Sequence, residues 1–257
     1  MRKLTLFLIM SVLALNVYAW GGLGHQVTIE VAKRHLSKKA QKNIEKYMSY
    51  DMTKDATWMD KHRRDEPLKY TSAWHVYNVD SKHNYDPNPR LAKGDCLLGL
   101  RVADYNLCHY KELSDSAVLM NIRMLIHFVG DLHCPTHSYF PGPRCFWKCT
   151  LKGKNQKTFH SVYDKMPSLV HGKKAAATLA EELDKCSKSE IKKIAAGTFN
   201  DWVKDIADRN CIIYDINPFN TPVLDDQTVE KSTELVNIEM RNGGYRLAKL
   251  LNEYFGK

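Results

Sequence analysis

The chain has 257 residues, of which 44% are hydrophobic, and its formal net charge is +9. This length is sufficient for one full domain with a sizeable core, and the sequence shows no repeat, low-complexity tract or linker that would divide it. The positive charge favours polyanionic partners such as nucleic acid or an anionic lipid surface, but charge alone does not select between them.

The N-terminus has the features of an export signal. Two basic residues precede an apolar run at residues 4–17, and a small-residue end follows at Ala19. This pattern predicts a signal peptide over residues 1–19, cleaved between Ala19 and Trp20. The apolar run is shorter than the ~20 residues that a membrane span needs. We therefore expect a secreted or periplasmic protein without a stable membrane anchor, whose functional domain comprises residues 20–257.

The hydrophobic pattern predicts an all-α fold, a single multi-helix domain with long loops. Ser37 and Ser114 are predicted helix N-caps, and a glycine pair at 243–244 predicts close helix contact or a kink. Helices are predicted at residues 25–36, 38–48, 55–63, 96–110, 173–185, 189–208 and 225–254, and in a long segment after Ser114. Three segments are predicted to be non-helical: residues 70–80 are extended, 81–93 form a surface loop, and 138–159 form an irregular loop or hairpin.

Seven cysteines follow the signal peptide. Export permits disulfides, and the odd number leaves at least one thiol unpaired. Cys145 and Cys149 are close enough in sequence to form a local bridge. The thiols are not arranged as C-x2-C pairs, so the spacing does not indicate a structural zinc finger. We interpret Cys134 as a buried small residue rather than as a ligand or a nucleophile.

The residues 127–137 concentrate three histidines and an aspartate at the end of the long helix. His127 and Asp131 are four residues apart and therefore share one helix face, and Pro135 turns the chain toward His137. Unpaired buried polar groups cost roughly 1–3 kcal/mol each, so this face requires partners. Either the two side chains form a hydrogen-bonded pair in a helical bundle, or they bind a metal.

A second pair with the same spacing, His160 and Asp164, follows downstream. Two such pairs together with His137 suggest imidazole and carboxylate ligands for a borderline metal, of which zinc is the most plausible.

Several motifs occur in a characteristic order along the chain. They are Trp20-Gly-x-x-Gly-His25, Ala56-Thr-Trp-Met-Asp60, Trp74-His75, His127-Phe-Val-Gly-Asp131-x5-His137 and Phe159-His160-Ser-Val-Tyr-Asp164. This ordered set resembles the S1/P1 nucleases, the single-strand-specific nucleases that use three zinc ions. Residues 243–248 also look like the closing helix of that family, so the resemblance covers essentially the whole mature chain. It implies the fold type shared by zinc phospholipase C and the single-strand nucleases.

The resemblance implies three Zn²⁺ ions and a ligand set for each. Asp60, His75, His127 and Asp131 would bind the first ion; His137, His160 and Asp164 would bind the second; the free amine and carbonyl of Trp20, with His25 and a bridging Asp131, would bind the third. The ligands are all nitrogen or oxygen donors, and the protein does not close every coordination position, as catalytic zinc requires.

The activity implied by the resemblance is that of an exported phosphodiesterase. It would hydrolyse single-stranded RNA and DNA to 5′-phosphate products by a metal-bound hydroxide, with 3′-nucleotidase activity, and we expect it to be a monomer. Arg63 matches a family arginine that contacts the phosphate in the transition state. The alternative is a solvated arginine at a helix end.

Three positions depart from the family pattern. Val76 stands where the best-known members have a base-stacking phenylalanine, and we expect Tyr77 beside it to take over the stacking. Asn78 replaces a carboxylate at a catalytic position. The resemblance therefore does not fix the base preference or the catalytic rate of this chain. Cys134 replaces a glutamine that is common in the family.

Two other functions are compatible with the sequence. A zinc phospholipase C would share the fold and the N-terminal tryptophan ligand, although the segment from Ala56 to Arg63 favours the nuclease. A non-catalytic metal-binding or surface-interaction protein would explain the departures at Val76 and Asn78.

Overall fold

The computed structural model describes residues 20–87, 93–139, 146–152 and 154–257. In that part of the chain α-helices dominate and the strands are few and short, which confirms the all-α prediction. The predicted signal peptide at residues 1–19 lies outside the described residues, and so does Cys145.

The helices and strands are numbered in chain order. The α-helices are α1 Gly22–Arg34, α2 Lys38–Glu45, α3 Trp58–His62, α4 Cys96–Cys108, α5 Asp115–Leu132, α6 Phe159–Tyr163, α7 Met166–His171, α8 Ala176–Leu183, α9 Lys188–Ile194, α10 Phe199–Asn210, α11 Ile212–Ile216 and α12 Asp226–Phe255. Short 3₁₀ turns lie at Met52–Asp55, Glu66–Ala73, Tyr110–Glu112 and Pro135–His137. The strands are β1 Tyr77–Asn78, β2 Ser138–Tyr139, β3 Lys148–Leu151, β4 Lys154–Thr158 and β5 Val223–Leu224.

Helix α5 lies at the centre of the fold. It begins at the predicted cap, where the Ser114 hydroxyl accepts a hydrogen bond from the Ala117 amide at 3.3 Å. Its C-terminal half, from Met124 to Leu132, is buried on all sides, as expected for a helix that is apolar around its whole circumference. It packs against α1, α4 and α12. The functional histidine and aspartate on α5 are therefore held inside the core.

Helices α1 and α12 form the most extensive helix contact. Gly244 makes this approach possible, because a Cβ atom there would lie 2.5 Å from the Val31 Cβ and 2.9 Å from the Thr28 carbonyl oxygen. Helix α12 continues without interruption through the glycine pair. Of the two predicted explanations for the pair, close helix contact is therefore correct.

The predicted helix at 189–208 is in fact two helices. Gly197 adopts a φ of +86° between α9 and α10, a conformation that glycine reaches without strain. Each helix begins with its own capping box, Ser187 with Glu190 and Thr198 with Asp201. Two starting signals in succession therefore define two helices.

The predicted extended segment at 70–80 is mostly wrong. The Glu66–Ala73 stretch forms a 3₁₀ helix, and only Tyr77–Asn78 is a strand, paired in parallel with Ser138–Tyr139. The hairpin prediction at 138–159 is correct in its second half, where β3 pairs antiparallel with β4 and parallel with β5.

Two further properties concern the described part of the chain. None of its helices combines the length and the hydropathy needed to cross a membrane. Its six cysteines, Cys149 included, form no disulfide with one another.

The glycine contact predicts a stability change. In a helix, Gly→Ala alone gains about 1 kcal/mol, but overpacking a filled contact costs about 1–3 kcal/mol. Because the added methyl group of Gly244→Ala would overlap Val31, we expect the free energy of unfolding to fall by up to about 2 kcal/mol net. Chemical denaturation measures this change. Glu234→Ala, at an exposed site of the same helix, is the control, and equal stability of the two variants would contradict the packing assignment.

Candidate metal centre

Helix α5 brings His127 into contact with two residues that lie far away in sequence. The His127 Nε2 atom lies 3.1 Å from His75 Nδ1 and 3.8 Å from Asp60 Oδ1. The His75 Nδ1 atom lies 3.5 Å from the same Asp60 oxygen. All three side chains are buried, and each offers a potential ligand atom within 4.8 Å of the others. They form the first ligand group.

Asp131 occupies the centre of the cluster. Its Oδ2 atom lies 2.9 Å from His75 Nδ1 and 3.1 Å from His127 Nε2. Its Oδ1 atom lies 3.5 Å from His25 Nε2 and 3.3 Å from His137 Nδ1. Asp131 therefore joins the first group to His25, with which it forms a second group, and to the histidine that begins the third.

The third group lies beyond the 3₁₀ turn that follows α5. Asp164 Oδ1 lies 3.4 Å from His137 Nε2 and 3.5 Å from His160 Nε2. The two imidazole rings stack with their centroids 5.0 Å apart and an interplanar angle of 8°. Helix α6 carries His160, and the predicted four-residue spacing places Asp164 one turn later.

Many buried polar atoms of these groups have no hydrogen-bond partner. They are both ring nitrogens of His25 and His137, both carboxylate oxygens of Asp60, His75 Nε2, Asp131 Oδ1 and Asp164 Oδ2. Each such atom would cost roughly 1–3 kcal/mol if it stayed unpaired. Among these atoms, His25 Nε2 and His137 Nδ1 face Asp131 Oδ1, and Asp60 Oδ1 faces the other members of the first group. Such convergence without hydrogen bonds is the arrangement expected around metal ions.

The electrostatics favour the metal-binding forms of several side chains. Burial lowers the pKa of His25, His75 and His160, which keeps these imidazoles neutral. Burial also lowers the pKa of His127, but the Asp131 and Asp60 carboxylates outweigh it and raise that pKa to about 9. A bound cation would replace the proton there.

A backbone carbonyl orients His127. The Ala56 carbonyl oxygen lies 2.9 Å from His127 Nδ1 and can only accept, so the ring proton belongs on Nδ1. The Nε2 lone pair then points to the first group, as a metal ligand requires. The family motif that begins at Ala56 thus contributes through its backbone as well as through Asp60.

The segment at Trp20, where the mature domain is predicted to begin, lies against the third group. Trp20 is fully buried, and its ring packs against Gly24 of α1. The Gly21 amide donates a hydrogen bond to the Asp164 carbonyl oxygen at 2.5 Å. Residue 20 is therefore fixed beside one of the two His–Asp pairs, while His25 follows one turn into α1.

Arg63 lies at the edge of the first group. Its Nη1 atom is 3.8 Å from Asp60 Oδ1, and its side chain is 15% exposed. A guanidinium at this position faces both the ligand group and solvent, which suits contact with a phosphate.

Tyr77 was expected to stack on a base, and the structure contradicts this expectation. Its side chain is fully buried, and its hydroxyl donates a hydrogen bond to the Leu132 carbonyl oxygen at 3.0 Å. Side chains alternate across a strand, so Tyr77 points inward while Val76 and Asn78 are partly exposed. The Asn78 amide donates to an Asp86 carboxylate oxygen at 3.3 Å, and its catalytic role stays a prediction.

A buried ionic network beneath the cluster was missed in the sequence. Glu239 accepts from His133 Nδ1 and from Arg209 Nε, each at 2.7 Å. Arg246 Nη1 lies 3.4 Å from His133 Nε2. Glu239 and Arg246 are seven residues apart on α12 and so share a helix face. Two opposite charges at helical spacing among the mainly apolar positions on the buried face of α12 were the signal that could have revealed them.

The sequence model of the S1/P1 nuclease family matches residues 20–256. The chain belongs to the S1/P1 nuclease family. Endonuclease 3 of Arabidopsis thaliana is 24% identical over 96% of this chain and 93% of its own length. Nuclease P1 of Penicillium citrinum is 22% identical over 92% of this chain and 98% of its own length. Membership in the S1/P1 nuclease family supports nuclease activity, that is, hydrolysis of phosphodiester bonds in nucleic acid.

The His25 ring packs closely against Gly130 of α5, and this contact predicts how a substitution would change the metal affinity of this S1/P1 nuclease. A Cβ atom at Gly130 would lie 2.2 Å from His25 Nδ1, so Gly130→Ala should displace the His25 ring. We expect the metal affinity of the centre to fall by at least about 10-fold, since even the loss of an outer partner costs that much. Metal content after dialysis measures this loss. Gly244→Ala, also buried but in a contact between helices, should keep its metal, and equal retention by both variants would contradict the assignment.

Proposed function

We propose that the mature chain is an exported zinc-dependent phosphodiesterase. It hydrolyses single-stranded RNA and DNA to 5′-phosphate products, acts as a 3′-nucleotidase, and uses three Zn²⁺ ions. The observation that carries the proposal is the convergence of buried imidazole and carboxylate atoms, without hydrogen-bond partners, around Asp131. Membership in the S1/P1 nuclease family supports the same chemistry.

The donor set fits zinc. Imidazole nitrogen and carboxylate oxygen are ordinary zinc ligands, and their unpaired atoms lie in fully buried positions. The three groups defined above would hold the ions, with Asp131 shared between the first and the second group and Trp20 completing the second through its amine and carbonyl. Zinc held there would polarise phosphate oxygens and make hydroxide available near neutral pH.

The protein's own side chains have separate tasks in this proposal. His127 is oriented by the Ala56 carbonyl, and Asp131 holds the groups together. Arg63, at the edge of the first group, would neutralise charge on the phosphate as it develops in the transition state. The buried surroundings exclude water and so strengthen each of these electrostatic interactions.

Because Tyr77 is buried, another residue has to provide the surface on which bases stack. Phe146 is 40% exposed, and its ring stacks on His160 with the centroids 5.0 Å apart. An exposed aromatic ring beside the third group suits a sequence-tolerant base contact, worth about 1–3 kcal/mol per base. Val76, which is partly exposed, adds apolar surface only.

A direct assay tests the proposed activity. Processed protein with zinc should cleave single-stranded homopolymers to 5′-phosphate ends and cleave duplex DNA much more slowly, and chelation should abolish the activity until zinc is restored. Hydrolysis of phosphatidylcholine without nucleic acid cleavage would instead indicate a phospholipase C. Bound zinc without turnover of either substrate would indicate a non-catalytic protein.

Loss of one ligand should separate metal binding from folding. We expect His160→Ala to lower zinc content and nuclease activity together, because the third group loses an imidazole while α6 keeps its cap at Thr158. Far-ultraviolet circular dichroism should show nearly unchanged helix content. His171→Ala is the control, since His171 bonds to Asn237 outside the cluster. Unfolding of His160→Ala at full zinc content would argue for a purely structural histidine.

Because Trp20 is proposed to bind zinc through its α-amine, the signal peptide must be cleaved before the metal centre can form. Only cleavage after Ala19 liberates the α-amine, and a free, deprotonated amine is required for it to bind metal. A form with an extension before Trp20 should therefore bind less zinc and lose most of its activity. The same extension after Lys257 serves as the control. Three zinc ions and full activity in the N-terminally extended form would refute this ligand assignment.

A further inference from the structure

Cys134 lies at the junction between α5 and the third ligand group. Its amide donates to the Asp131 carbonyl oxygen at 3.1 Å, and its own carbonyl accepts from the His137 amide at 3.0 Å. These bonds fold the Pro135–His137 turn back on the end of α5. The turn thus fixes the thiol and the imidazole of His137 on the same side of the chain.

The thiol reaches the third group directly. The Cys134 thiol donates to Asp164 Oδ1 at 3.8 Å, and its Sγ atom lies 3.8 Å from Thr136 Oγ1. Ligand atoms of Cys134, His137 and Asp164 all lie within 4.8 Å of one another, and all three residues are buried. This separation is compatible with three atoms around one metal ion, because Zn–S and Zn–N bonds are about 2.3 Å and 2.0–2.1 Å long.

The space beside the thiol contains polar atoms without partners. Both ring nitrogens of His137 and the Oδ2 atom of Asp164 form no hydrogen bond, and the two residues are 0% and 2% exposed. These atoms point to a ligand independently of the cysteine. Cys96 differs in its acceptor, because its buried thiol donates to a backbone oxygen, the Phe128 carbonyl, at 3.4 Å, whereas the Cys134 thiol donates to the Asp164 carboxylate.

In place of the sequence-based interpretation of Cys134 as only a buried small residue, we propose that it is a thiolate ligand of the metal ion held by His137, His160 and Asp164. The inference rests on the proposed function, since it assumes that this group binds zinc. On binding, the thiol proton is released to solvent and a sulfur–metal bond forms. The cluster that contains the thiol includes His137 and Asp164, and His160 lies 3.5 Å from that same Asp164 carboxylate, so the two imidazoles, the carboxylate and the thiolate together would make up a tetrahedral zinc set.

This ligation would change the role of the third group. Where the family resemblance places a glutamine, this chain supplies the donor that zinc prefers. Four protein ligands close the coordination sphere, and a closed zinc site holds its metal without an open position for substrate. The third ion would then be retained more strongly, and the contacts to phosphate would fall mainly to the first and second groups.

Cobalt substitution tests the inference without measuring activity. Processed protein is stripped of metal and titrated with Co²⁺, whose visible bands report binding to any of the groups, while a sulfur-to-cobalt charge-transfer band in the near ultraviolet reports only a Co–S bond. We expect both signals in the wild type. Cys134→Ser should lose the charge-transfer band and keep visible absorption. The dissociation constant of its weakest cobalt site should be at least about 10-fold higher than in the wild type.

Controls separate this inference from the proposed function. Cys149→Ser removes another buried thiol and should keep both signals. Visible absorption without a charge-transfer band in the wild type would overturn the cysteine assignment and leave the nuclease proposal intact. Persistence of the band in Cys134→Ser would likewise overturn it. The absence of any cobalt absorption would contradict metal binding itself, and with it both proposals.

Discussion

The contacts of one buried carboxylate determine the arrangement of the whole centre. Asp131 lies within 3.5 Å of ring nitrogens from His25, His75, His127 and His137, which come from four separate parts of the chain. Burial alone would raise the pKa of Asp131, but His127 and His137 hold it well below its usual range. A carboxylate kept ionised in the core requires compensating positive charge, which comes from protons on His127 and His137 or from a cation that replaces them.

The fold supplies rigidity around this carboxylate. Helix α5 carries two of the predicted ligands, His127 and Asp131, and α1 and α12 pack closely against it. The Ala56 carbonyl sets the orientation of His127, and Glu239 anchors His133 just beyond Asp131. Ligands fixed by a second layer of partners lose little freedom on binding, so more of the binding free energy is retained.

Local spacing revealed only part of this site. The pair His127 and Asp131 was visible because helical periodicity relates residues four apart. The contact between His133 and Glu239 joins residues 106 positions apart, and no local pattern reports it. The exposure of Val76 and the burial of Tyr77 follow from strand alternation, so assigning solvent contact to both neighbours was inconsistent with an extended chain. His137 was likewise predicted from its place after Pro135, whereas the ligand predictions for Trp20, His25, Asp60 and His75 came through family resemblance, since those positions depend on tertiary packing.

Anomalous diffraction at the zinc absorption edge tests the central claim most directly. Crystals of processed protein that begins at Trp20, grown with zinc, would locate the ions without reference to activity. The account predicts zinc peaks about 2.0–2.2 Å from the imidazole and carboxylate atoms of the three groups, with Asp131 bonded to more than one ion. Absence of zinc from the cluster, or zinc bound only elsewhere on the protein, would contradict it.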